Sequence, residues 1–359
     1  MCQHRVRRSV GEEQPIKASN DRGAWAPEKR SSASARLPSY VKKRFLVVGN
    51  GQPAGALVET LIATDQGDLA ALLTSEPNGR AVSQLPKGLA PIYPEETIRD
   101  VVQLEKLDLL SCDWLLCANT TYIVPKEVLT SFAARALNFH PGLLPAYAGL
   151  HAHQWAIRNG EAEFGVTVHM IEAGLDTGDV VAVRRFVIRP EDTGLSLYRN
   201  CIRAGSQLFT EVLRRILTEE DPLPRNPQDL SKRRLYRHAE AIDGRIDWTM
   251  PAQRVVDFIR AGNYYPFSSP TYTPQINDFG PPSVHVLRAV VAGDSGAPGR
   301  LIDVRPTGPV IGCGDGGAVV LQRATRDGRE VDGSAWRQLF ECLPPPAILA
   351  LGLRVKGRL

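Results

Sequence analysis

The chain has 359 residues, 43% of them apolar and 7% aromatic, enough for two domains with separate cores. No apolar run approaches the ~20 residues of a membrane-spanning helix, and the start of the chain lacks the apolar stretch of a secretory signal; a membrane protein is not expected, and a cytoplasmic one is. The formal charge of +4 is uneven: residues 1–44 hold 11 Lys and Arg against 4 Asp and Glu, residues 45–209 hold 12 against 18, and residues 210–359 hold 20 against 17. An acidic central half argues against a nucleic-acid interface there, because phosphate neutralisation supplies most of the affinity of such interfaces.

In chain order, residues 1–43 mix Ser, Arg, Gly, Glu and Pro with few large apolar side chains. They form an expected disordered basic tail, unable to bury enough surface to offset ordering entropy. From Arg44 the pattern becomes a short apolar strand over 45–48, a glycine turn over 49–55, a helix over 57–62 and further strands over 69–73 and 114–117. Alternating strands and helices predict a doubly wound, mostly parallel sheet for a domain spanning 44–220. The turn reads G-x-G-x-x-x-G with Pro53 inside, which departs from a dinucleotide fingerprint and reads as a strand-to-helix turn.

Residues 165–171 alternate as a strand, with Val166, Val168 and Met170 on one side and Thr167, His169 and Ile171 on the other. Residues 194–217 carry apolar positions at helical spacing, with Asp192 or Thr193 as the cap. Residues 221–235, with Pro222, Pro224 and Pro227 ahead of Lys232-Arg233-Arg234, read as a linker. Beyond it lie a helix over 252–261 and short strands over 284–291, 299–304, 310–313 and 318–322, the pattern of a small barrel over 236–359.

The most informative motif is Asn138-Phe139-His140, followed 36 residues after His140 by Asp176 in Leu175-Asp176-Thr177-Gly178. Moving an acyl group onto an amine passes through a tetrahedral intermediate with a negatively charged oxygen. An amide can donate to that oxygen, an imidazole can donate or take the amine proton, and a carboxylate beside the imidazole tunes and relays protons. On an extended strand end, residues 138 and 140 project to one side and Phe139 to the other. Taken singly, each side chain has a plain structural reading as a turn or strand-end hydrogen-bonding residue. Asp-Thr-Gly also occurs in aspartic proteases, but the all-β pattern of that class is missing. His151 and His153 have metal-like spacing without neighbouring Cys or Glu-x-x-His, so no metal site is expected. The six cysteines are scattered and suggest neither a zinc knuckle nor a disulfide framework.

The text around the motif, ALNFHPGLLPAYAGLHAHQWAIRNG from Ala136 and FGVTVHMIEAGLDTGDVV from Phe164, resembles the catalytic core of the 10-formyltetrahydrofolate-dependent formyltransferases. The resemblance covers nearly all of 44–359 and is strongest over 136–181 and 246–266. It implies an α/β formyltransferase fold followed by an oligonucleotide-fold-like barrel, and 10-formyltetrahydrofolate as the formyl donor. It implies Asn138, His140 and Asp176 as the catalytic residues. By the same resemblance Ala173, Gly174 and Leu175 hold the pterin ring, Tyr122, Ile123 and Val124 wall its other side, and His169 lines the amine pocket.

Three branches of the family share this core, acting on initiator Met-tRNA, on amino-sugar nucleotides, or on peptides and hydroxyornithine. The tRNA-acting branch carries a basic insertion after the second strand, whereas 75–94 is short here and holds only Arg80 and Lys87 as basic residues. The favoured partner is therefore a small-molecule amine, with initiator tRNA as the alternative and a non-catalytic folate-binding module as a third. Lys232-Arg233-Arg234 and Arg237 could bind backbone phosphates, but a charged, solvated linker is the favoured reading.

Overall fold

The computed structural model describes residues 42–341 except 65, 133, 219–221, 238–242, 278–281 and 332. The expected basic tail up to residue 41 and the C-terminal stretch 342–359 lie outside the described residues. No described helix is long and apolar enough to cross a membrane.

The first half runs β1 (Lys43–Gly49), α1 (Gly51–Ala63), β2 (Gly67–Thr74), α2 (Arg80–Gln84), β3 (Ile92–Pro94), α3 (Val101–Lys106), β4 (Trp114–Ala118), α4 (Lys126–Ser131) and β5 (Ala136–His140). It continues with β6 (Ala148–Gly149), α5 (Ala152–Asn159), β7 (Glu163–Met170), β8 (Val180–Val187) and α6 (Gly194–Thr218). Seven strands form one sheet in the order β3-β2-β1-β4-β5-β7-β8. The first five are parallel, while β7 runs antiparallel to both β5 and β8.

Side-chain alternation along each strand builds a two-sided core. Phe45, Val47, Leu116, Leu137, Phe139, Val166 and Val168 pack with α1, α5 and α6. Leu46, Val48, Leu115, Cys117 and Ala136 pack on the opposite face with Leu104 of α3 and Val128 of α4. Helix α6 lies close on β5: a Cβ on Gly205 would stand 2.0 Å from the Phe139 ring. Its start is fixed as the sequence suggests, because Ser196 N donates to Thr193 Oγ1 at 3.2 Å, Thr193 N donates to Ser196 Oγ at 2.9 Å, and Asp192 accepts from Ser196 Oγ. The glycine turn is a tight strand-to-helix connection. A Cβ on Gly49 would stand 1.9 Å from the Ala118 carbonyl, and the Gly51 amide at the head of α1 donates to Glu76 Oε2 at 2.9 Å.

The second half contains β9 (Leu235–Tyr236), α7 (Ala252–Gly262), β10 (Gln275–Ile276), β11 (Val284–Ala292), β12 (Leu301–Arg305), β13 (Gly308–Gly312), β14 (Ala318–Arg326), β15 (Arg329–Val331) and α8 (Gly333–Glu341). Strands β10 to β15 make an antiparallel sheet in the order β10-β11-β14-β13-β12, with β15 beside β14. All four strands expected there are present, and β10 and β15 are additions too short to leave a periodic signal. Val286, Ile311, Val319 and Leu321 form its core with Val255, Phe258 and Ile259 of α7 and Trp336 of α8.

The segment expected to be a linker is bound along most of its length to the first half. Asn226 exchanges both backbone hydrogen bonds with Val180, at 2.8 and 3.0 Å, and β9 pairs with β6. The basic cluster is also engaged internally: Lys232 pairs with Asp229, Arg233 donates to the Leu175 carbonyl at 2.7 Å, and Arg234 lies over the Tyr236 ring at 4.7 Å.

Candidate active site

The C-terminal end of β5 brings the motif residues to one place. Leu137 and Phe139 enter the core, so Asn138 and His140 point to the opposite face, as the spacing predicts. Across the antiparallel pairing Asn138 stands opposite His169 and His140 opposite Thr167. Thr167 donates to the Gly142 carbonyl at 2.7 Å and accepts from Leu144 N at 3.3 Å, bracing the chain where it turns away after His140.

Asp176 reaches this cluster from the turn between β7 and β8. Its Oδ2 accepts from the Gly149 amide at 2.8 Å and lies 3.6 Å from His140 Nδ1, while Oδ1 lies 3.7 Å from His169 Nε2. One buried carboxylate thus stands between two buried imidazoles; His140, His169 and Asp176 are 3%, 2% and 8% exposed. Asn138, by contrast, is half-buried and is the member of the group that faces outward.

Hydrogen bonding assigns the tautomers. His140 Nε2 lies 2.6 Å from the Tyr147 carbonyl, which can only accept, so Nε2 carries hydrogen and Nδ1 faces Asp176. His169 Nδ1 lies 2.7 Å from the Met170 carbonyl and is a donor for the same reason. Its Nε2 therefore presents a lone pair, 3.1 Å from Asn138 Nδ2. Burial and the neighbouring His140 push His169 down to about 4, against the opposing effects of Asp176 and the Met170 carbonyl, so the ring is neutral near pH 7 and the assignment is consistent. Bonded this way, one Asn138 N–H is anchored on His169 and the other is left to a ligand.

The expected donor-binding residues divide by exposure. Ile123 and Leu175 are 73% and 44% exposed, Tyr122 is half-buried, and Val124 belongs to the core. The carbonyls of Gly174, Leu175 and Asp176 already accept from Thr177, Arg233 and Gln228. Exposed apolar side chains beside a polar cluster suit a flat heterocycle with a reactive carbonyl at its edge, so the residues present fit a reduced folate.

Three contributors were not legible in sequence. The Gly149 amide that fixes Asp176 is a backbone group, which every residue but proline carries. Glu95, fully buried, accepts from Asn50 Nδ2 at 2.8 Å, Thr120 Oγ1 at 2.6 Å, Thr121 N at 2.8 Å and Thr121 Oγ1 at 3.1 Å. Burial raises its pKa, yet these hydrogen bonds outweigh that and hold the carboxyl below its usual value. It ties the loop ahead of α1 to the loop carrying Tyr122 and Ile123. Gln228, the third, sits in the supposed linker. His153 does not join the site: its Nε2 pairs with the Tyr264 hydroxyl, burial pushes it down to about 3, and among the described residues no group of three or more His, Cys, Asp or Glu could hold a metal.

Residues 43–213 match the formyl transferase family and residues 239–340 the formyl transferase C-terminal domain. The methionyl-tRNA formyltransferase of Anaeromyxobacter sp. (strain K) is 34% identical over 243 residues, covering 67% of this chain and 75% of the relative. That of Myxococcus xanthus (strain DK1622) is 32% identical over 288 residues, covering 77% and 88%. Among solved structures, the N-formyltransferase from Helicobacter canadensis with folinic acid and dTDP-3-aminofucose superposes with a TM-score of 0.60 at 19% identity, covering 79% of this chain and 99% of that one, a likeness of fold. With a polar cluster suited to acyl transfer and relatives matched across both halves, the chain belongs to the formyl transferase family and is an enzyme that takes its formyl group from a formylated folate.

Proposed function

We propose that this enzyme transfers the formyl group of 10-formyltetrahydrofolate to a primary amine or hydroxylamine of a small molecule, such as an amino-sugar nucleotide or hydroxyornithine. The observation that carries this reading is the connection from β2 to α2. Only five residues separate Thr74 from Arg80. Within them Glu76 places a carboxylate on the Gly51 amide at the head of α1, where a phosphate would otherwise be favoured. Of the two basic residues near it, Arg80 is paired with Glu59. A long RNA phosphate backbone finds little positive charge on this side of the site.

Asn138, with one N–H anchored on His169, donates the other to the formyl oxygen and stabilises the charge that develops there as the amine adds. Asp176 and His140, 3.6 Å apart, take the proton lost by the amine and return it to the departing folate nitrogen. Burial of both imidazoles keeps the reacting groups away from bulk water. Tyr122, Ile123 and the turn 173–175 hold the flat ring of the donor, and Val124 supports them from the core.

A second reading, formylation of initiator Met-tRNA, is favoured by the names of the sequence relatives, which are methionyl-tRNA formyltransferases at 28–35% identity. A competition assay tests the choice. Enzyme and 10-formyltetrahydrofolate are mixed with charged initiator tRNA or with a panel of amino-sugar nucleotides and hydroxyornithine. Small-molecule turnover without tRNA formylation is expected, and robust tRNA formylation overturns the proposal.

A further inference from the structure

Asp176 sits in a turn that its own strands do not fully hold. Its backbone is left-handed, with φ of 53°, and a carboxylate standing between two imidazoles gives up its function if the turn drifts by a fraction of an ångström. What holds the turn comes from the segment between the two halves. Gln228 Nε2 donates to the carbonyl of Asp176 at 3.0 Å and to that of Gly178 at 2.7 Å, so one amide nitrogen spans both ends of the turn. Arg233 Nη2 donates to the Leu175 carbonyl at 2.7 Å, directly ahead of it. The same segment then forms β9, and its pairing of Tyr236 with Gly149 fixes the strand whose amide donates to Asp176 Oδ2.

Among the described residues the Gln228 amide is oriented by these bonds alone. Its Oε1 is buried with no hydrogen-bond partner among them, and reversing the group would set that oxygen against two carbonyls. A side chain kept for stability does not ordinarily leave a buried acceptor unpaired. We propose that the segment 226–236 is a positioning element of the active site, and that Gln228 is a positioning residue that acts in formyl transfer by fixing the Asp176 turn. The chain joining the two halves thereby makes the catalytic turn depend on the docking of that segment.

The inference rests on Asp176 acting in the transfer, so Asp176→Asn is measured beside Gln228→Leu and Gln228→Glu in the full-length enzyme. Steady-state formyl transfer is followed with varied 10-formyltetrahydrofolate, together with thermal unfolding of each variant. Both Gln228 variants are expected to unfold within a few degrees of the wild type and to lose about 10- to 100-fold in kcat while KM for the donor stays within about 3-fold, because the turn is misplaced and the donor surface is not. If Asp176→Asn is fully active, the site reading fails. If Asp176→Asn is inactive but Gln228→Leu keeps at least half of its kcat, this proposal alone fails. Loss of the folded state in both Gln228 variants, or a loss expressed in KM with kcat unchanged, assigns the residue to stability or donor binding and overturns the proposal as well.

Discussion

Asn138 and His169 should be coupled in catalysis, and the structure sets the size of the effect. Asn138 Nδ2 lies 3.1 Å from the neutral His169 Nε2, so removing the imidazole frees an amide that must be held still to stabilise a developing charge. A neutral hydrogen bond of this kind is worth about 1 kcal/mol net, so His169→Leu should lower kcat roughly 5- to 10-fold. Asn138→Ala removes the proposed oxyanion donor and should cost about 10²- to 10³-fold, or ~3 to 4 kcal/mol. If His169 acts through Asn138, the double variant loses no more than Asn138→Ala alone, a coupling of about 1 kcal/mol in the cycle. Single-turnover formyl transfer under saturating donor measures the chemical step for all four proteins. Losses that multiply would refute the coupling and give His169 an independent task, such as lining the amine pocket. A loss below 10-fold for folded Asn138→Ala would refute the oxyanion role altogether.

Asp176→Asn should reduce kcat at least 10³-fold with little change in unfolding temperature, since asparagine tolerates a left-handed backbone and its carbonyl can still accept from Gly149; thermal scans and rates on one preparation check both halves. Gly178→Ala should both unfold more easily and lose transfer, because the added Cβ would stand 2.0 Å from the Met170 carbonyl where β7 leaves for the turn; a variant matching wild type in denaturant titration would contradict this. Stability should fall as pH drops from 6.5 towards about 4. His169 is depressed from 6.5 to about 4, so in that window the unfolded chain binds a proton the folded one does not, a cost of about 3 kcal/mol when fully developed. His153, depressed to about 3, adds in the same direction, and urea titrations at pH 7 and pH 4.5 measure the sum.

What the sequence made legible follows from the range of each interaction. Asn138 and His140 lie two apart on one strand, and strand geometry alone puts both on one side. Asp176 enters through the family resemblance of the text around Leu175-Asp176-Thr177-Gly178, because spacing along the chain does not tie it to Asn138 and His140. The bond from Asn138 to His169 could not be read, since it depends on which residue of β7 falls opposite Asn138, a register set by the packing of Phe139, Val166 and Val168. His169 lies on the strand face that the alternation predicts, with Nδ1 on the Met170 carbonyl at 2.7 Å and Nε2 3.1 Å from Asn138 Nδ2. The segment 221–235 read as a linker because prolines and charges mark a segment unable to form a core. Such composition says nothing of whether the segment's amides and carbonyls are satisfied by solvent or, as at Asn226 and Gln228, by the neighbouring turn.

These two kinds of position divide the site by what each part must tolerate. Asn138, His140 and His169 stand on paired strands whose opposite faces are buried in the core, so their placement is maintained by packing over many residues. Asp176 has no such support. It lies beyond the strand, at the left-handed apex of a turn, and its carboxylate is held by one backbone amide on β6. That amide is itself held by β9, which the chain can supply only after passing Gln228 and Arg233. If Asp176 acts as proposed, it is the point at which the placement of residues 226–236 enters the chemistry. Disturbance that leaves the sheet intact but loosens residues 226–236 should be felt first in proton transfer, and only later in donor binding.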